Sequence, residues 1–168
     1  MKKWLWMGIV VIIVILGTLF AISFNNTSKQ INEFVSFRDY IDNEYTPLFK
    51  TINTHLDQSA EKIGDQDFST WYLVENGLGE NQEIQKELEN IEDKIINKDV
   101  KYADTLDYKK NILNQIKILE DCIETLNIHS TAYTLEEIQI LDYSLSEDIK
   151  NLRSNIDETH KILDKYYD

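Results

Sequence analysis

The chain has a single cysteine and a single proline in 168 residues, and only three of its five glycines lie beyond residue 24. One cysteine cannot form an internal disulfide, so the fold holds without a covalent staple. Cys122 reads as a small buried hydrophobe, with an intermolecular bridge as the alternative. Pro47, Gly64, Gly77 and Gly79 are the only residues of either type after Phe24, and the last 89 residues contain neither. Such a scarcity of breakers is a helical composition.

Cations are also scarce. Set Lys2 and Lys3 aside, and 15 basic residues face 30 acidic ones from Asn25 onward, a net charge of −15. That excess repels nucleic-acid phosphates and anionic lipid headgroups, which excludes a nucleic-acid grip and a polybasic surface helix. It equally fits ordinary solvated helix faces.

Catalytic constellations are missing from the pattern as well. No nucleophile triad, phosphate loop or paired cysteine ligands can be found, so no enzyme activity, cofactor or small-molecule substrate is expected. His55, His129 and His160 have no second histidine at the three-to-five-residue spacing that lets two imidazoles reach one zinc. Asp157 and His160 form an Asp-x-x-His pair, but a di-iron bundle needs a counterpart on another helix, which leaves a metal-dependent enzyme as a remote alternative. Asp65, Asp67 and Ser69 match the first calcium-loop positions. The match then fails at Thr70, where Gly is required, and at Asn76, where a bidentate Glu belongs. Asp67 or Ser69 serves better as a helix cap. The Trp-x-Gly hairpin of type VII secretion substrates and the Glu after a processed Phe of type IV pilins are both lacking.

What is present begins with an uncharged run, Trp4 to Phe24. At about 1.5 Å per residue it spans roughly 30 Å, the thickness of a hydrocarbon core. Trp4 and Trp6 suit a headgroup region, and Lys2 and Lys3 supply a positive-inside signal. The expected layout is a cytoplasmic stub over 1–3, a transmembrane signal-anchor over 4–24 in contact with the lipid bilayer, and an extracytoplasmic domain over 25–168. Ala21 and Ser23 form a small-x-small pair, so cleavage before Phe24 and release of a soluble effector is the competing reading. The apolar core exceeds the usual signal-peptide length, which favours a retained anchor at the cell membrane. No acylatable cysteine follows the run, which excludes a lipoprotein.

The exported part reads as all-α, an antiparallel helical bundle. A first helix is expected from a capping box at Thr27 and Gln30 to Gly64. Its apolar face carries Ile31, Phe34, Val35, Ile41, Tyr45, Leu48, Phe49, Ile52, Leu56 and Ile63, and Pro47 should kink or restart it. Ile84, Leu88, Ile91 and Ile95 form a second seam, and Ile112, Ile116, Leu119, Ile123 and Leu126 a third. The last helix should begin at the capping box Thr134 to Glu137, with Tyr133 and Ile138 as its staple. Its seam is Ile138, Leu145, Ile149, Leu152, Ile156, Leu163 and Tyr166. A turn near Asn97 to Asp104 gives four helices. Without it, one helix from about Glu80 to Asn127 gives three. Even helix lengths favour four.

The segment DFSTWYLVENGLGEN, residues 67–81, concentrates aromatics beside two glycines. Phe68, Trp71, Tyr72 and Leu78 are candidates for a partner-docking lip, since aromatics supply contact area at low entropic cost. The plainer reading is that they fill the bundle end while Gly77 and Gly79 break or bend helix two. The sequence thus predicts a single-pass, membrane-anchored, non-enzymatic accessory or scaffold subunit that binds a protein partner in the cell envelope.

Overall fold

The computed structural model describes residues 2–64, 68–75, 77–130 and 135–166, with side chains from Asn26 onward except those of Leu135, Glu137 and Ile138. Every regular element among them is a helix: α1 Lys2–Gly64, α2 Phe68–Val74, α3 Gly77–Ile96, α4 Ala103–His129 and α5 Leu135–Asp164. No helix among the described residues is long and apolar enough to cross a membrane. The expected anchor over 4–24 lies outside the described side chains, as do Lys2, Lys3, Trp4, Trp6 and the Ala21–Ser23 pair. The capping box and staple of Tyr133, Thr134, Glu137 and Ile138 and the loop pair Asp65 and Asp67 are likewise outside them.

Helix α1 does not begin at Thr27, because it runs without interruption from Lys2. No glycine or proline separates Gly17 from Pro47, so nothing in the chain favours leaving the helix there. It also continues through Pro47 rather than restarting. Pro47 and Asn43 both face solvent, so the carbonyl that loses its donor is open to water. In place of Ile31, which is exposed, the buried row starts one position earlier with the half-buried Gln30, then Phe34, Phe37, Ile41, Tyr45, Leu48, Ile52 and Leu56. Gln30 Nε2 donates to Asp104 at 3.2 Å across the bundle, so a polar partner determines which side of this turn faces inward.

The second and third seams are buried as their spacing predicts, and α4 lies centrally, touching α1, α3 and α5. Cys122 is fully buried on α4, and burial pushes its thiol up to about 12. From the last seam, Leu145 and Leu152 are buried, while Ile149, Ile156, Leu163 and Tyr166 pack against the core from its edge.

A turn over 97–102 separates α3 from α4 without any glycine or proline. Side chains from α4 and α1 hold it instead. Lys109 Nζ donates to the carbonyls of Ile96 and Lys98, each at 2.8 Å, satisfying acceptors that the end of α3 leaves free. Glu33 Oε1 accepts the backbone N–H groups of Lys101 and Tyr102, each at 3.0 Å. Burial opposes the Glu33 charge, but these two bonds together hold its carboxyl below the usual range.

Asp104 completes this end, receiving Lys165 Nζ at 3.0 Å and the Tyr166 hydroxyl at 2.9 Å, while Tyr166 stacks on Phe34 at 3.9 Å between centroids. The bonds from Lys165 and Tyr166 hold the Asp104 carboxyl below its ordinary value. A depressed folded value stabilises above the unfolded pKa and is lost as pH falls through the folded one. Asp104→Asn is therefore expected to cost at most about 1 kcal/mol of stability at neutral pH for a pair this open to solvent, read as a lower thermal midpoint. The deficit should shrink once acid protonates the native carboxyl below about pH 4, as thermal melts across pH will check.

Candidate functional site

The opposite end of the bundle, where α1 closes at Gly64, carries a chain of buried polar side chains from four helices. His55 on α1 faces two acceptors, with Nδ1 3.2 Å from Glu80 Oε2 and Nε2 3.1 Å from Asn81 Oδ1. Asn81 has no solvent exposure, and its Nδ2 donates to the Ile123 carbonyl and to Asn127 Oδ1, each at 3.1 Å. Because a backbone carbonyl only accepts, that bond fixes the amide with its oxygen toward His55, so Nε2 must carry a hydrogen. Asn127 Oδ1 also accepts the hydroxyl of Tyr72. Burial raises the Tyr72 phenol to about 12, the Asn81 amide offsetting part of the rise, so it stays a donor at neutral pH.

The sequence builds this site locally in two ways. Asn81 stands three residues before Ile84 on the buried row of α3, so the helix delivers an amide where a leucine would otherwise pack. Gly77 is required where α3 begins: a Cβ there would lie 2.9 Å from the Tyr72 Cα and 3.0 Å from the Trp71 ring. Of the two expectations for these glycines, a break or a bend, the structure has the break. The chain leaves α2 after Val74 and restarts at Gly77, which gives a seven-residue α2 lying against α1 and α3.

Aromatic contacts surround the polar chain. Phe68 meets the His129 ring edge-on at 5.1 Å, Trp71 lies 5.8 Å from His55, and Phe68 and Tyr72 are 5.1 Å apart. His129 Nε2 lies 3.1 Å from Asp142 Oδ1, tying the end of α4 to α5. Of the candidate docking residues, Phe68 and Tyr72 are buried in the core, while Trp71 and Leu78 are half-buried and packed on it. The solvent-facing apolar side chains of α2 are its last two, Leu73 and Val74, the latter 77% exposed. Phe68 and Trp71 thus pin α2 from beneath.

Two open troughs adjoin this end. One of about 530 Å³ lies between α1 and α3, with His55 and Thr54 on one side and Glu80, Glu83 and Glu87 on the other. The second, about 410 Å³, lies between α1 and α5 over Ala60, Ile63, Leu145 and Ile149. No group of three or more His, Cys, Asp or Glu among the described residues is placed to hold a metal ion. Asp157 and His160 are both exposed on α5.

The sequence pattern did not single out His55, Asn81 or Asn127, which are remote in the chain. The signal that could have found Asn81 is an amide on an otherwise aliphatic seam. Comparison with known protein families, characterised proteins and solved structures finds no match to this chain.

Asn81→Ala removes the hub and leaves the buried His55 Nε2 without its acceptor, while His55 Nδ1 keeps Glu80 and Asn127 keeps Tyr72. An orphaned buried donor costs roughly 1–3 kcal/mol, so a loss on the order of 2 kcal/mol is expected in chemical denaturation. Replacing exposed Val74 by Ser should stay within about 0.5 kcal/mol.

Proposed function

We propose that the protein is a single-pass membrane protein whose helical bundle stands outside the cell membrane and acts by binding a protein partner, as an accessory or scaffold subunit of an envelope assembly. The observation that carries this reading is the uncharged run Trp4–Phe24 leading straight into the helix that founds the bundle. A run of that length matches the hydrocarbon core, and Lys2 and Lys3 before it give an inside N-terminus. Helical continuity favours a stalk: from Phe24 to Gly64 α1 rises about 60 Å at 1.5 Å per residue. The Asn26 end then lies at the bilayer and the polar-aromatic end lies farthest from it.

A binding role is supported by how the polar groups at that far end are used. His55, Asn81, Asn127 and Tyr72 bond to one another and to the backbone, so they brace α2 rather than converge on a substrate. The net charge of −15 beyond the anchor suits a protein partner and opposes nucleic acid and anionic lipid.

Fractionation of the producing cells tests the placement. The full-length chain is expected in the membrane pellet after alkaline carbonate washing, with protease added to intact spheroplasts digesting the bundle. A soluble chain in the medium that begins at Phe24 would establish the secreted form instead.

A further inference from the structure

We propose that the Gly64 end of the bundle is a docking tip for a cationic amphipathic segment of a partner protein, which seats apolar side chains on Leu73, Val74, Ile128 and Tyr143 while its lysines or arginines meet the surrounding carboxylates. The proposal rests on the scaffold reading above and specifies its surface and partner chemistry.

Exposed apolar side chains are the first ground. Leu73, Val74, Ile128, Ile140 and Tyr143 all stand open to water, Tyr143 at 70%. Their positions belong to one end of the molecule. Leu73 follows Tyr72, which bonds Asn127; Ile128 lies between Asn127 and His129; Tyr143 follows Asp142, which pairs with His129. Three helices therefore present apolar groups next to side chains that already touch. The polar chain beneath fixes α2 and α4 relative to each other, so the surface is presented without the ordering cost that a mobile loop would incur on binding.

Charge is the second ground. Residues 63–85 and 118–149 contain five and eight carboxylates and no lysine or arginine. The nearby cations among the described residues are Lys62, in the last turn of α1, and Lys150 and Arg153, which line the trough between α1 and α5. At the other end stand Arg38, Lys94, Lys98, Lys101, Lys109, Lys110 and Lys165. An apolar surface in such a field selects a cationic occupant by complementarity. It disfavours a second copy of this chain, whose tip would bring the same charge, and anionic headgroups for the same reason.

The test uses the full-length chain in nanodiscs of zwitterionic lipid and a short amphipathic Leu/Lys helix bearing a photo-crosslinker, with a Leu/Glu helix of the same pattern beside it. Crosslinks from the Leu/Lys helix are expected in 68–75 and 136–143. The double variant Val74→Ser with Tyr143→Ser should weaken its binding about tenfold, and added salt should weaken it further. Ile31→Ser with Leu106→Ser, exposed apolar positions at the lysine-bearing end, should leave binding unchanged. Unchanged circular dichroism confirms that these surface variants fold. Crosslinks at the Asn26 end, equal binding of the Leu/Glu helix, no binding of either, or indifference to the tip variant would each overturn the proposal. A chain that fails here yet remains in the membrane by fractionation leaves the anchored-scaffold reading standing; a chain found soluble refutes that reading instead.

Discussion

A single buried amide governs how four helices meet at one end of this bundle. Asn81 is wholly enclosed, and its two polar atoms reach α1 through His55 and α4 through Ile123 and Asn127. Asn127 in turn holds Tyr72 of α2. An unsatisfied amide in that position is costly, whereas an aliphatic seam tolerates sliding by a turn with little penalty. The network therefore specifies register more than it adds net stability, in the manner of a polar residue at a coiled-coil core position. The placement of α2, and with it the exposure of Leu73 and Val74, follows from that specification.

The two ends of the bundle use polar chemistry differently. At the Asn26 end, charged groups close a turn: Glu33 and Lys109 bind the backbone between α3 and α4, and Asp104 collects Gln30, Lys165 and Tyr166. Acid weakens that end, because its carboxylates are stabilised in the charged form. At the Gly64 end mostly neutral amides and aromatic rings fix the helices, with Glu80 and Asp142 reaching the buried His55 and His129 from the rim. A scaffold that must stay closed near a membrane and present a surface far from it would need this asymmetry.

Most of the helical seams were legible because their apolar spacing is uninterrupted: Ile84 to Ile95 and Ile112 to Leu126 are buried as read. The α2–α3 break was legible in part, since Gly77 and Gly79 announced a change of direction but not that α2 would be separate and only seven residues long. The turn over 97–102 could be placed but not secured. Its determinants are Glu33, far upstream, and Lys109, inside the following helix, and the apolar register counts straight through it. Ile31 was misassigned for a related reason. Its hydrophobicity suggested a core position, but the bonds of Gln30 to Asp104 and Tyr166 decide which side of that turn faces in. The candidate site was legible in its aromatics and hidden in its polar chain, because residues 55, 81 and 127 become neighbours only after the helices pack. Phe68 and Tyr72 show the limit of reading aromatics as a surface, since a segment too short to bury a full helical face can still bury its largest rings.

In the anchored-scaffold proposal, a continuous helix carries the acidic, apolar-tipped end away from a membrane that holds its other end. The most direct measurement is the height of that tip above the bilayer, by energy transfer from a fluorophore on Val74→Cys to acceptor-labelled lipids in nanodiscs. Cys122 is buried, with its thiol raised to about 12, so it should not compete for the label. A separation near 60 Å is expected, about the rise of α1 from Phe24 to Gly64. A separation of about 20 Å, the width of two packed helices lying on the surface, would contradict it.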